Sequence, residues 1–466
     1  MKNIKNIHLV GIGGIGMSGI AEIMNNLGYC ITGSDQRNNL NVERLRKNGI
    51  KVFLGHKDSN IFNSSLVVYS SAIDFDNCEL KAAREQKIPI IGRSEMLREL
   101  MRMKKTITVS GSHGKTTTVS IIAEIFDYAK HDPTVINGGI INSYGSNTKL
   151  GFSDLMLVET DESDGSFSFL PSFAGVITSI DNEHIDYYGS KKKLLNAFLS
   201  YCKNISPFGF LAISEKDKNI SKLIKNLESL NIIKYGFKKS CDVRGKILRE
   251  DKNGVLFNVL INEGSIEEER IENIFFPMRG EHNIENALAA ITIAYNFNIK
   301  KEIIKKGLES FKGVGRRLSK IYENNNITFY DDYAHHPTEI KETIKALKSK
   351  PGRLISVVQP HRYSRLRDTY KQFSKCFFNS DIVFILPIYQ AGESKIDGIS
   401  SELLVRDITN SGHPKAFYSN NFSEFKNEIL KILQPNDTLV FMGAGSISSW
   451  CNIFAKEMIL MDQNNE

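Results

Sequence analysis

Short runs of aliphatic and β-branched residues alternate with longer amphipathic stretches, and this alternation sets the expected elements. The run at 7–10 (Ile-His-Leu-Val) reads as a strand, Gly11-Ile12-Gly13-Gly14-Ile15-Gly16 as a turn, and the residues through Asn26 as a helix. A second strand starts at Cys30 and ends at Ser34-Asp35. Alternation continues through 66–70 and 88–91, and this first block closes in a charged helix at 95–105. A second block opens with the strand 106–109 (Thr-Ile-Thr-Val) and continues through a helix at 119–128 and strands at 154–158 and 174–180 to about Gly315. Within it, 255–261 lies between the turn signals Lys252-Asn253-Gly254 and Asn262-Glu263-Gly264 and reads as a strand of an antiparallel insertion. From about Arg316 the strands 328–330, 354–358, 382–386 and 438–442 alternate with helical segments, which predicts a mostly parallel sheet.

Length and composition narrow the class without choosing a function. The 466 residues leave room for several domains, and 41% hydrophobic with 24% charged residues excludes disordered, collagenous and coiled-coil chains. The net charge of +7 is spread over short, scattered basic runs such as Lys191 to Lys193, a pattern that argues against a nucleic-acid surface. The six cysteines stand tens of residues apart, so neither a CxxC motif nor a dense disulfide framework is expected, and a reducing cytoplasm fits. Gly11, Gly13, Gly14, Gly16 and Gly19 break the N-terminal apolar run, so it is not expected to act as a signal peptide, and no stretch is apolar over a membrane-spanning length.

The chemistry gathers after strands. Ser110-Gly111-Ser112-His113-Gly114-Lys115-Thr116-Thr117-Thr118 joins a strand to a helix, where successive backbone N–H groups and the helix N-terminus attract phosphate. Lys115 is then expected to reach the outer phosphates and Thr116 to ligate Mg2+. The glycine turn at 11–16, with Asp35 nineteen positions after Gly16, is the arrangement of a dinucleotide-binding βαβ unit and sends Asp35 to a ribose hydroxyl. The strand 154–158 runs into Glu159-Thr160-Asp161-Glu162-Ser163-Asp164, hard oxygen donors beside the phosphate loop that suit a metal or its surroundings; which carboxylate touches the metal stays open.

The strand 174–180 delivers Asp181-Asn182-Glu183-His184-Ile185-Asp186 to the same edge. Six of the ten histidines (His113, His184, His282, His335, His336, His361) fall in Gly-, Asn-, Asp- or Arg-rich strand-end loops, more than a purely structural role predicts. Arg279 to Asn286, Gly313 to Arg317, Tyr330 to Pro337 and Gln359 to Arg365 likewise resist a purely structural reading, and Arg362 and Arg365, three apart, can both grip a carboxylate or phosphate.

Together these stretches resemble the Mur ligase family, from Gly11-Ile-Gly-Gly-Ile-Gly-Met-Ser-Gly19 to Met442-Gly-Ala-Gly-Ser446. The most specific are Gly-Ser-His-Gly-Lys-Thr-Thr, Glu-Thr-Asp-Glu-Ser-Asp, Gly-Glu-His-Asn-Ile-Glu-Asn and Asp-Asp-Tyr-Ala-His-His-Pro-Thr-Glu. The resemblance implies a three-domain α/β fold: a Rossmann-like N-terminal domain (1–104) for a UDP-sugar, a central P-loop-type ATP-binding domain (105–315) and a Rossmann-like C-terminal domain (316–466) for the amino acid. It implies a cytoplasmic enzyme of peptidoglycan precursor synthesis that uses ATP and Mg2+ to join L-alanine to the lactyl carboxylate of UDP-N-acetylmuramate through an acyl phosphate. No nucleic-acid or membrane partner is expected, and the state is a monomer or weak homodimer.

By motif matching, the resemblance gives the UDP-sugar Gly11, Gly13, Gly14, Ile15, Gly16, Met17, Ser18, Asp35 and Ser71, so the glycine turn meets a UDP diphosphate in place of NAD. It gives ATP Gly111, Ser112, His113, Gly114, Lys115, Thr116, Thr117, His282, Asn283, Asn286 and Arg316, and the metal Thr116, Glu159 and His184. Tyr333, His335, Arg362 and Arg365 take the amino acid, and Lys115, His184, His335, Arg362 and Arg365 carry the catalysis. Many relatives read Asn-Ile-Glu-Pro-Asp-His where this chain has Ser179-Ile180-Asp181-Asn182-Glu183-His184, and Ala197-Phe198-Leu199 stands where sister ligases carry a carbamylated lysine, so no modified lysine is expected. Because these groups come from different blocks, the reaction is expected to need domain closure. Three rival readings remain: a recycling ligase that adds a tripeptide to the same sugar nucleotide, an NAD-dependent oxidoreductase, and a nucleotide-gated binding module without activity.

Overall fold

The computed structural model describes residues 5–465 apart from 182–184, 228, 252, 325 and 349–351, and apart from the side chains of Ile15, Asp186, Asn226, Asn464 and Asn465. The chain divides into two compact units, one of Met1–Leu248, Leu256–Phe275 and Glu285–Lys312, the other of Arg249–Val255, Phe276–Ile284 and Gly313–Glu466. Among the described residues no helix is long and apolar enough to cross a membrane.

The first sheet holds β1 (Asn6–Val10), β2 (Cys30–Asp35), β3 (Lys51–Leu54), β4 (Leu66–Tyr69) and β5 (Ile90–Gly92) in the order β3-β2-β1-β4-β5, all parallel. Its order reverses between β1 and β4, and the carboxyl ends of strands beside such a reversal form the crevice where open α/β sheets bind ligands. The glycine turn follows β1 directly, so the sequence pattern places it in that crevice.

The second sheet comprises β6 (Lys105–Ser110), β7 (Thr134–Ile141), β8 (Ser146–Lys149), β9 (Leu155–Glu159), β10 (Ser172–Ile177), β11 (Ile205–Ser214), β12 (Ile232–Gly236), β13 (Val243–Asp251), β14 (Gly254–Ile261) and β15 (Glu269–Phe276). Their order is β15-β14-β13-β12-β11-β10-β6-β9-β7-β8. β6 lies between β10 and β9, parallel to both, so the phosphate loop, the acidic run and the segment after residue 177 leave the sheet side by side. One core joins the first two sheets: Met17, Ile20 and Met24 of the glycine-turn helix pack with Ile136, Met156, Val158 and Leu170.

The third sheet, in the second unit, holds β16 (Ser319–Asn324), β17 (Ile327–Asp332), β18 (Leu354–Val358), β19 (Ile382–Ile385), β20 (Ala416–Tyr418) and β21 (Thr438–Met442) in the order β16-β17-β21-β18-β19-β20. Among the described residues β16 pairs antiparallel with β17, and the other neighbours pair in parallel. β18 and β21 are buried at every position, as strands covered on both faces are, and their sequences are apolar but for Ser356, whose hydroxyl meets that of Ser380 at 2.6 Å, and Thr438 at the start of β21.

The predicted bounds shift where tertiary hydrogen bonds compete with local pattern. The helix expected over 95–105 runs Arg93–Arg102, because the Lys105 N–H is taken by the Asp154 carbonyl at 2.7 Å and starts β6. The strand expected over 174–180 ends at Ile177: the Thr178 N–H goes to the Ser110 carbonyl and its hydroxyl to the His113 carbonyl, so the chain turns under the phosphate loop. The helix expected from Val119 begins at Lys115. β11 escaped prediction because Pro207 and Gly209 interrupt it; at Gly209 the Phe173 carbonyl stands 1.6 Å from where a Cβ would be.

Candidate functional site

In the first unit the glycine turn is pinned by the end of β2. The Gly11 and Ile12 N–H groups donate to the Ser34 carbonyl at 2.8 and 3.0 Å, and the Gly13 N–H donates to Asp35 Oδ2 at 2.8 Å. A Cβ on Gly13 would stand 2.8 Å from that same oxygen, and Gly11 has φ +79°, so both positions require glycine. Asn39 and Asn41 donate their amides to the Gly13 carbonyl at 3.1 and 2.9 Å. The helix Ile15–Asn26 has Gly14 as its N-cap with no side-chain cap, which leaves first-turn N–H groups for an anion.

Met17 is buried in the shared core, so its side chain is spent on packing and its backbone is what a ligand can meet. Ser18 is buried as well and receives a 3.4 Å contact from Arg44, whereas Ser71, just past β4, is exposed. Arg93, which the sequence reading missed, brings a guanidinium nitrogen to 2.9 Å from a Cβ built on Gly16 and pairs with Asp164 at 3.3 Å.

The phosphate loop is held from below by the chain after β10. Ser112 N–H donates to the Ser179 carbonyl at 2.9 Å, His113 N–H to Ser179 Oγ at 3.0 Å, and Asp181 N–H to Ser112 Oγ at 2.8 Å. Gly111 has φ +127° with Thr178 Oγ1 at 2.3 Å from a Cβ position, and Gly114 has φ +79° with Asn286 Oδ1 at 2.4 Å. Asn286 also accepts from Thr118 Oγ1 at 3.3 Å, which places it beside the loop. His113 Nε2 lies 2.8 Å from Asp181 Oδ2.

Lys115 Nζ donates to the Gly111 carbonyl at 2.6 Å and to Glu162 Oε2 at 2.8 Å. Burial alone would lower this ammonium's pKa, but the carboxylates of Glu162, Asp161 and Glu159 outweigh burial and raise it above the ordinary lysine range. Thr116 Oγ1 donates to Glu159 Oε1 at 3.0 Å, while Glu159 Oε2 accepts from Gly138 N–H at 2.6 Å. Thr117 is buried within the helix. His184, expected at the metal, lies outside the described residues.

The second unit collects the other candidates at the ends of β17 and β18. Tyr333 N–H donates to the Arg316 carbonyl at 2.7 Å, and its ring lies 5.0 Å from the Arg316 guanidinium and 5.2 Å from that of Arg317. Arg316 Nη2 donates to the Gly443 carbonyl at 2.5 Å. His335 Nδ1 faces the Tyr333 carbonyl at 2.8 Å; a carbonyl only accepts, so Nδ1 carries the proton and Nε2 is an acceptor. Burial pushes the His335 pKa down to about 3, with Arg365 adding to the effect and Glu339 opposing it. Burial, then Arg365 and Arg362, hold His361 at about 4. Both rings are therefore neutral at neutral pH, 5.8 Å apart between centroids.

Arg362 sits at φ +66°, fixed by its N–H donating to the Tyr389 carbonyl at 2.8 Å, and its Nε is buried without a hydrogen-bond partner among the described residues. Arg365 Nη1 lies 3.4 Å from His361 Nδ1. A strained backbone and an unsatisfied guanidinium nitrogen are what a site prepared for an anion would hold. His361 stacks on Tyr389 at 5.5 Å and 13°. No motif points to Tyr389, whereas Glu339, which accepts from the His335 N–H at 3.1 Å, belongs to the motif Asp-Asp-Tyr-Ala-His-His-Pro-Thr-Glu. His282 and Asn283 open the helix Glu281–Asn296; His282 Nδ1 is 4.0 Å from Glu342, and Asn283 donates to the Arg279 carbonyl at 2.7 Å.

The glycine turn, the lysine-bearing phosphate loop and the basic strand-end cluster all lie in segments that match known proteins. Three family models match the chain: Mur ligase family, catalytic domain, over 6–105; Mur ligase middle domain over 109–294; and Mur ligase, glutamate ligase domain, over 316–445. The chain belongs to the Mur ligase family. Within that family it is 44% identical to the UDP-N-acetylmuramate–L-alanine ligase of Brucella anthropi over 98% of both chains. Among solved structures it is similar to the UDP-N-acetylmuramate-alanine ligase of Thermotoga maritima, with TM-score 0.81, 27% identity and all of both chains covered. The murein peptide ligase of Psychrobacter arcticus shares the fold, with TM-score 0.70 and 20% identity over 97% of this chain and 98% of that one.

Proposed function

We propose that this chain joins L-alanine to the lactyl carboxylate of UDP-N-acetylmuramate, cleaving ATP to ADP and phosphate, as a cytoplasmic step of peptidoglycan precursor synthesis, and that it acts as a monomer or weak homodimer. The observation that carries the reading is the Lys115 loop, where an ammonium and a helix N-terminus converge after β6 in a chain 44% identical to an alanine-adding ligase. That identity favours alanine over the tripeptide of the recycling enzyme, and a lysine-bearing phosphate loop has no part in hydride transfer. We assign the UDP-sugar to 1–104, ATP to 105–315 and the amino acid to 316–466.

The chemistry follows from charge. An amine does not displace oxide from a carboxylate, so the carboxylate oxygen first attacks the γ-phosphorus; the bond from phosphorus to the bridging oxygen breaks and ADP leaves. The alanine nitrogen then attacks the acyl carbon, the tetrahedral intermediate expels phosphate, and the nitrogen gives up its proton. Both reactants of the first step are anions, so Lys115 and the first-turn N–H groups of its helix screen them and hold them in line. Gly111, Ser112, His113, Gly114, Thr116 and Thr117 supply the cradle, and His282, Asn283, Asn286 and Arg316 meet the rest of the nucleotide.

Thr116 and Glu159 offer hard oxygens 3.0 Å apart, a donor set that fits Mg2+, and we assign them, with His184, to hold it. When bound, such an ion neutralises phosphate charge. Arg362 and Arg365 take the alanine carboxylate, and Tyr333 bounds the pocket. His335, kept neutral, faces the amino group as an acceptor and does not repel it as a third cation would. The glycine turn, Asp35 and Ser71 hold the UDP-sugar.

The test is phosphate release and product chromatography with the full chain, ATP, Mg2+ and UDP-N-acetylmuramate. Alanine-dependent release with an amide product is expected. No nucleotide hydrolysis, or a strong preference for the tripeptide, overturns the reading.

A further inference from the structure

Beneath the glycine turn lies a buried carboxylate that the chemistry above does not use. Glu79, fully buried near the start of the helix Cys78–Glu85, gathers polar groups from four other segments. Ser34 Oγ of β2 donates to Glu79 Oε2 at 2.6 Å, and His56 Nδ1, after β3, lies 3.2 Å from the same oxygen. Asn60 Nδ2 and Lys57 N–H donate to Oε1 at 2.6 and 3.3 Å. From β1, fully buried His8 turns Nε2 toward Oε2 at 3.7 Å.

A buried carboxylate without such partners would be driven neutral. Burial does push Glu79 up, but the nearby His8 ring and the hydrogen bonds from Ser34 and Asn60 prevail and hold it at about 2, so it stays ionised. What the carboxylate grips matters more than its charge. The Ser34 carbonyl is the acceptor for both the Gly11 and Ile12 N–H groups, and the next residue, Asp35, takes the Gly13 N–H. Asn60 also donates to the Gly55 carbonyl at 3.2 Å, and the Gly55 N–H donates to the Asp35 carbonyl at 2.8 Å. Glu79 therefore holds the end of β2 on both sides of Ser34-Asp35, and that strand end sets where the three turn amides point.

We propose that Glu79 is a positioning residue for the sugar nucleotide, acting through the Ser34 hydroxyl to fix the glycine turn. The inference rests on the reading of that turn as the UDP-sugar site. Glu79→Gln puts an amide NH2 against donors that need an acceptor, and Ser34→Ala removes one hydroxyl. Calorimetric binding of UDP-N-acetylmuramate to the full chain without ATP, and steady-state kinetics for each substrate, read the effect.

Expected for Glu79→Gln is a loss of about tenfold in affinity for the sugar nucleotide, on the order of one charge-assisted hydrogen bond, with kcat and the KM for ATP within about twofold of wild type. Ser34→Ala should act in the same direction, and the double variant should lose less than the product of the two single losses, since both cut one linkage. Unchanged sugar-nucleotide affinity in both variants, or equal losses for ATP and sugar nucleotide, overturns the proposal and leaves Glu79 as part of the domain's packing. If Glu79→Gln does not fold, Ser34→Ala decides by the same measurements. A wild-type chain that makes no amide defeats the functional reading instead.

Discussion

Lys115 Nζ and Glu162 Oε2 stand 2.8 Å apart, with the lysine largely buried and the carboxylate almost wholly so. Each answers the other's desolvation. Lys115→Ala should lower kcat/KM by about 10²–10³, the scale of one preorganised charge-stabilising donor, while Glu162→Ala strands a buried ammonium and should lower unfolding free energy by about 3–5 kcal/mol. Phosphate-release kinetics and urea denaturation check the two; wild-type stability in Glu162→Ala would refute the pairing.

Gly111→Ala places a methyl 2.3 Å from Thr178 Oγ1 at φ +127°. About 1–3 kcal/mol of backbone strain, added to the clash, should lower the melting temperature and weaken ATP binding together. Retained nucleotide affinity measured by calorimetry would show that the loop tolerates a side chain.

Thr116 and Glu159 are assigned to the metal, so chelation by EDTA should abolish turnover and added Mg2+ should restore it. Thr116→Ala removes one of those oxygens and should raise the half-saturating Mg2+ concentration by at least about 10–100-fold, the scale already reached when a metal site loses only an outer partner, with sugar-nucleotide binding unchanged. An unaltered Mg2+ titration would remove Thr116 from that role.

Arg362 carries a guanidinium nitrogen buried without a hydrogen-bond partner among the described residues. Arg362→Ala should raise the KM for alanine by about 100-fold, within the range for a desolvated charge pair that loses one member, and Arg362→Lys should not restore it, because an ammonium cannot offer the planar fork. Equal effects on the KM for ATP would contradict the assignment.

His335 is held near 3, below its ordinary 6.5. In this window the unfolded chain binds a proton that the native chain refuses, so its contribution is present above 6.5 and is lost as pH falls toward 3. Asp332, raised by burial to about 6, works the other way: its contribution is present below 3.8 and is lost as pH rises through 6. Comparing His335→Gln with wild type isolates the histidine. The variant should lose less stability on acidification, by up to about 1.4 kcal/mol per pH unit. Parallel denaturation curves between pH 6.5 and 4 would sink this account.

The three α/β blocks, the phosphate loop and the strands at 354–358 and 438–442 were legible in the sequence, because strands buried on both faces are mostly apolar and phosphate loops need glycine where φ is positive. Local pattern also located Lys115, Asp35 and the arginine pair. Three further features escaped it: the grip of Glu162 on Lys115, the neutral state of His335, and the hub that Glu79 makes with His8, Ser34, His56 and Asn60. Each joins residues tens of positions apart or depends on burial. Hydrogen-bond partners and desolvation are properties of the packed neighbourhood, which a residue acquires only when strands distant in the chain become neighbours in a sheet.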